Sequence, residues 1–258
     1  MKIAAFILMF VLAVPSQGQE ITVAAAADLR SALDEITSHF QTETAVHVKV
    51  VYGSSGNLFQ QIQNGAPFDL FFSANSDYPK KLEAASLSVP GTYYEYARGH
   101  LVLLTSSTST LDLQQGLKAL LEPSIKRIAI ADPGHAPYGQ AAVAALKSQG
   151  IYDQVSRKIV VGENVAQAAS FVISGAADIG IVAKSLAILP SARDRIRFAE
   201  IPANEYPPIQ QACVLLKSST KQEPARRFIT YIQTPEASKI LQRYGFDVPS
   251  TKAAQSLQ

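Results

Sequence analysis

Short apolar runs alternate along this chain with stretches in which hydrophobic side chains recur every three or four positions. Ile21–Ala26 is apolar apart from Thr22 and predicts a buried strand. Leu29, Leu33, Ile36 and Phe40 then follow at spacings of four, three and four, which is one face of a helix. Val46–Tyr52 predicts a second strand, and Leu58, Phe59 and Ile62 begin another helix. Asn64-Gly65-Ala66-Pro67 breaks that helix before a third strand at Phe68–Phe72. Further strands are predicted at Leu101–Thr105, Ile128–Ala131, Ile159–Val161, Ile179–Val182, Ile196–Phe198 and Ala212–Leu216. Helices are predicted over 79–85, 113–121, 138–149, 165–174, 224–233 and 235–243. Alternating β and α units imply an α/β fold with mostly parallel sheets flanked by helices.

Two segments, Tyr93–Gly99 and Ala203–Pro208, interrupt this pattern with neither helical nor strand periodicity. If the chain crosses between two bodies at both, one lobe holds residues 19–98 and 207–258 and the other holds 99–206. Such lobes would hinge about a cleft, a common place for ligands. A single larger sheet is also compatible with the pattern.

The N-terminus bears on location. Lys2 precedes an unbroken apolar run, Ile3–Val14, and small residues Ser16 and Gly18 follow Pro15. Twelve apolar residues are too few to cross a hydrocarbon core about 30 Å thick, so residues 1–18 read as a secretory signal peptide. No Cys lies near the cleavage point to carry a lipid, and the expected location is the periplasm. The remaining composition mainly excludes. With 23 basic and 21 acidic residues and no basic cluster, the footprint of a nucleic-acid binder is missing. A single Cys, Cys213, rules out an internal disulfide, and four scattered His argue against a metal centre. No cofactor is expected.

Candidate chemistry lies where strands turn into helices. Ala24–Leu29, Tyr52–Leu58, Ala131–Gly139 and Val161–Val165 each join an apolar strand to a helix start through a short loop. A helix start presents unpaired N–H groups and partial positive charge, and several converging on one cleft would bind a small anion. Ser54 and Ser55, between Gly53 and Gly56, would add hydroxyl donors. The bland alternative is ordinary helix capping. Enzyme signatures are weak. Gly53–Asn57 fails the G-x-S-x-G elbow at its last position, and there is no Walker A run, G-x-G-x-x-G or H-E-x-x-H. An exported hydrolase using His135 and Ser55 is the remaining catalytic reading.

From Ile21 to about Val248 the chain resembles the periplasmic molybdate-binding proteins of ABC importers. The resemblance is carried by ITVAAAADL, by GSSGNLFQQIQNGAPFDLFFSAN, by ADPGHAPYGQAAVAAL, by ENVAQAASFVISGAADIGIV and by SKILQRYGF. It implies a type II-like two-lobed binding-protein fold that closes over a dehydrated oxyanion. It also implies a monomer that meets the membrane only through an ABC permease and its ATPase. Carried over residue by residue, the ligand positions fall on Asp28, Ser55, Tyr138, Val165 and Ala183. Ser55 and Val165 match the family. Asp28 stands where the family has Ser or Thr, Tyr138 where it often has a small residue, and Ala183, followed by Lys184, where many members have Tyr.

An ionised carboxylate at position 28 accepts hydrogen bonds and repels a dianion. Asp28 would then cap the helix at Leu29 and face away, accept from a protonated oxyanion, or be neutralised by Lys184. The resulting expectation is a receptor for molybdate, with tungstate alongside it. The departures at Asp28 and Ala183 leave phosphate, arsenate or sulfate as the alternative ligand.

Overall fold

The computed structural model describes residues 20–189 and 194–249. The signal peptide expected at residues 1–18 lies outside the described residues.

Two five-stranded sheets share the chain. The first begins with β1 (Glu20–Ala26), β2 (His47–Gly53), β3 (Leu70–Ser73) and β4 (Tyr94–Gly99). The second holds β5 (Leu101–Ser106), β6 (Ile128–Ala131), β7 (Ile159–Gly162), β8 (Ile179–Ala183) and β9 (Ile196–Glu200). The chain then returns, and β10 (Ile209–Leu215) enters the first sheet to give the order β2-β1-β3-β10-β4. The second sheet runs β7-β6-β8-β5-β9. His100 and residues 201–208 carry the two passages between sheets.

Helices cover the sheets. In chain order they are α1 (Arg30–Thr44), α2 (Ser55–Gln63), α3 (Asp77–Ala84), α4 (Pro137–Ser148), α5 (Tyr152–Val155), α6 (Val165–Ile173), α7 (Lys184–Ala187), α8 (Gln222–Ile232) and α9 (Pro235–Arg243). Strand β1 is apolar on both faces because both are covered. Ile21, Val23 and Ala25 join Leu33, Ile36 and Phe40 of α1 and Phe228 of α8 in one core. Ala24 faces the other side, with Leu58 of α2, Phe71, Leu82 of α3 and Val214. The second sheet has a single larger core that includes Leu103, Ile130, Ala142, Val172 and Ile181.

The α/β expectation holds, with three differences in detail. The sheets are mixed: β1 pairs parallel with β2 and β3, and β6 with β7 and β8, but β10 runs antiparallel to β3 and β4, and β5 to β8 and β9. The antiparallel members are the strands flanking the two passages, which enter a sheet from the far lobe and not through a covering helix. Tyr93–Gly99, which shows no strand periodicity, contains β4. Its strand partner is β10, whose register slips between Gln211 and Ala212, so the in/out alternation is lost; on its other side Arg98 alone bridges to Asp247 among the described residues. The helix predicted at 113–121 is a 3₁₀ stretch, Leu113–Leu121, broken at Gly116, whose φ of 59° lies in the left-handed region.

Candidate functional site

Four helix starts meet where the C-terminal ends of β1, β2, β6 and β7 face one another. A 3₁₀ turn, Ala27–Leu29, follows β1 directly; α2 follows β2 after Ser54; α4 follows β6 after Ala136; α6 follows β7 after Asn164. Between them lies a small pocket lined by Ala26–Asp28, Gly53–Ser55, Ala74, Ala136–Tyr138 and Asn164–Val165. Each turn leaves its first N–H groups beyond the reach of an intrahelical carbonyl. At α6 the Asn164 side chain accepts from Ala166 and Gln167, so the Val165 N–H stays outside that cap. No Lys or Arg side chain lines the cavity among the described residues.

Ser55, Asp28, Tyr138 and Val165, read from the sequence as ligand positions, come together here. The Ser55 hydroxyl oxygen accepts from the Ala74 N–H at 2.9 Å, which leaves its proton free to point elsewhere. The Ser54 hydroxyl is buried and has no hydrogen-bond partner among the described residues. Ala183 is not brought in. It is fully buried at the end of β8, outside the lining, and its methyl group supplies no donor.

Asp28 neither caps the 3₁₀ turn nor pairs with Lys184, whose ammonium pairs with Glu200 at 2.5 Å. Asp28 is instead 2% exposed, and its Oδ2 accepts from the Tyr138 hydroxyl at 2.9 Å and from Gln211 Nε2 at 2.6 Å. Its other oxygen, Oδ1, is buried without a partner. Burial pushes the carboxyl up to about 6, against the pull of Gln211, Tyr138 and the backbone N–H groups of Asp28 and Leu29. Burial and the facing Asp28 likewise raise the Tyr138 phenol well above its ordinary range.

The same residues join the lobes. Tyr138 belongs to α4 beside the second sheet, and Asp28 to the turn beyond the first. Ser185 of α7 donates to the Asp28 carbonyl at 2.8 Å, and the Gly56 N–H of α2 donates to the His135 carbonyl at 2.8 Å. A Cβ on Gly56 would sit 2.5 Å from that carbonyl oxygen, so only glycine allows this approach. Sequence reasoning missed Gln211 and Ser185. Gln211 did leave a signal, as a polar residue in the strand that continues into Ala212-Cys213-Val214-Leu215.

The family model for bacterial extracellular solute-binding proteins matches residues 21–247. The chain belongs to that family. Among solute-binding relatives, it is 35% identical over 242 residues to the molybdate-binding protein ModA of Rhodobacter capsulatus, covering 94% of each chain. It is 34% identical over 235 residues to ModA of Azotobacter vinelandii, covering 91% of this chain and 92% of the relative. The solved structure of the periplasmic molybdate-binding protein of Azotobacter vinelandii superposes with a TM-score of 0.85, covering 89% of this chain and all of that one, at 34% identity.

Proposed function

We propose that this solute-binding protein is the periplasmic receptor for molybdate, taking tungstate by the same geometry and presenting the ion to an ABC importer. The carrying observation is the cavity where four helix starts, Ser54 and Ser55 meet without a cationic side chain. Fixed N–H and O–H donors in a dry pocket suit an oxyanion, since partial charges replace its water and no counter-ion competes. The relatives named for molybdate fix the choice of ion that donors alone leave open. Molybdenum would never touch the protein directly, because the donors hold its oxo oxygens. Selection against sulfate and phosphate would rest on cavity size and on the fixed direction of the donors.

The relatives are solute-binding proteins, which supports binding over catalysis. The Ser55 hydroxyl is bonded to Ala74 N–H and the His135 carbonyl to Gly56, and no hydrogen bond links Ser55 to the His135 ring among the described residues. The protein acts as an exported monomer that docks on a permease carrying its own ATPase.

Calorimetric titration with molybdate, tungstate, sulfate and phosphate tests the reading. Micromolar or tighter binding of the first two, about −8 kcal/mol or better, is expected, with much weaker heats for the others. Tight phosphate binding without a molybdate response would overturn it.

A further inference from the structure

The hydrogen-bond directions around Asp28 fix where its proton can reside. The Tyr96 hydroxyl lies 2.8 Å from Gln211 Oε1, nearer than the 3.3 Å to the Ser73 carbonyl, and Gln211 Nε2 faces Asp28 Oδ2 at 2.6 Å and the Tyr138 oxygen at 3.2 Å. Tyr138, accepting there, gives its single proton to the same Oδ2. Oδ2 is thus occupied by two donors and has no acceptor to which a proton of its own could point. Only Oδ1 is left: it is buried, makes no hydrogen bond among the described residues although the Asp28 and Leu29 amides lie near the carboxyl, and belongs to a residue that lines the cavity with Ser54 and Ser55.

Resting on the oxyanion-receptor reading, we propose that Asp28 binds molybdate as a neutral carboxylic acid, donating from Oδ1 to an oxo oxygen, so that each captured dianion brings one proton into the site. The balance is simple. Ionised Asp28 takes a proton from solvent, no covalent bond to the ion forms, and the closed site carries the two charges of the ion alone. Asp28 then does what a serine hydroxyl would do, and its departure from the family pattern is functional. The cavity becomes a set of donors, so the proton of a hydrogen phosphate would meet no acceptor and that ion is rejected.

The surroundings agree. The titratable groups facing Asp28 are the phenols of Tyr138 on α4 and Tyr96 on β4, both shifted further from ionising, with Tyr206 beyond Tyr138. α7 turns its cation, Lys184, to Glu200 and presents Ser185. Arg30, at the start of α1, lies over the Tyr52 ring. β10 presents neutral Gln211; α2 and α6 present Ser55, Asn164 and Val165. The loop before α4 offers the His135 carbonyl to Gly56. A dianion placed beside Oδ1 raises the proton's affinity further.

Calorimetry with molybdate between about pH 6 and about pH 9, in two buffers of different ionisation enthalpy, tests this by linkage. The wild type should take up close to one proton per ion at the alkaline end, and its affinity should fall about tenfold per pH unit there. In Asp28→Asn the amide oxygen can replace Oδ2 and the amide N–H can replace the protonated Oδ1. That variant should bind with no proton uptake and a flat pH profile, within about tenfold of the wild type at the acidic end. Tight wild-type binding that is independent of pH and moves no proton overturns the proposal and leaves the receptor reading standing. A profile in Asp28→Asn as steep as the wild type's overturns it equally. Absence of molybdate binding to the wild type at every pH instead removes the receptor reading itself. The wild-type measurement decides even if the variant fails to fold.

Discussion

Asp28 concentrates the physical tension of the molecule, because it is fully buried, acidic and opposed by no cation. In the unfolded chain such a carboxyl ionises near 3.8, and in the fold it does so at about 6. Below the lower value both states hold the proton and Asp28 costs nothing. As pH rises through the window the folded state must give up its favoured proton, and above about 6 the full penalty, about 3 kcal/mol from a shift of two units, is present. The anion-free wild type should therefore lose stability relative to Asp28→Asn between about pH 4 and pH 7, as urea midpoints measured across that range would show. Ser55→Ala acts differently. It removes one hydroxyl donor to a charged ligand, about 1.5–3 kcal/mol, so molybdate should dissociate roughly 10 to 150 times more readily in a titration. Ser55 stands out in the sequence by its Gly-flanked loop, whereas Asp28 is picked out only by the family resemblance, as an acid where a Ser or Thr is usual. What cannot be read there is which way the carboxylate turns. That depends on Gln211 and Tyr138, 183 and 110 residues away. No local pattern ties those three together.

Among the elements, the strand-to-helix turns are well foretold because each joins an apolar run to a polar loop. Strand β4 is not, since its pairing with β10 slips by a residue and its Tyr and Arg side chains imitate a linker. Helix α2 has the most demanding placement. Its second residue, Gly56, approaches the loop before α4 so closely that its amide bonds the His135 carbonyl. Gly56→Ala should leave each lobe folded and hinder only their meeting. Overpacking of this kind costs about 1–3 kcal/mol, so molybdate affinity should drop roughly 5- to 150-fold while the circular dichroism spectrum is unchanged. A helical spectrum lost with the affinity would show that the contact matters for folding and not for closure.

At the scale of the whole molecule, the cross-lobe bonds of Tyr138, Ser185 and Gly56 fall beside the ion cavity, and both passages of the chain lie together at His100 and residues 201–208. An ion that draws donors from both lobes would favour the closed arrangement over an open one. Small-angle scattering should show a smaller radius of gyration in the wild type when molybdate is added, and little change in Gly56→Ala at the same concentration. A near-neutral chain suits this arrangement, because an anion held by dipoles needs no compensating cations to be built into the lobes.

The place of β10 has a consequence for how the chain is made. It sits inside the first sheet, between β3 and β4, so the body that begins at the N-terminus is completed by a strand that leaves the ribosome late. The second sheet is drawn from one uninterrupted stretch, Leu101–Glu200, and can assemble as soon as that stretch is free. The half synthesised first must therefore wait with the sides of β3 and β4 that β10 later joins unpaired, and the half synthesised in the middle can mature before it.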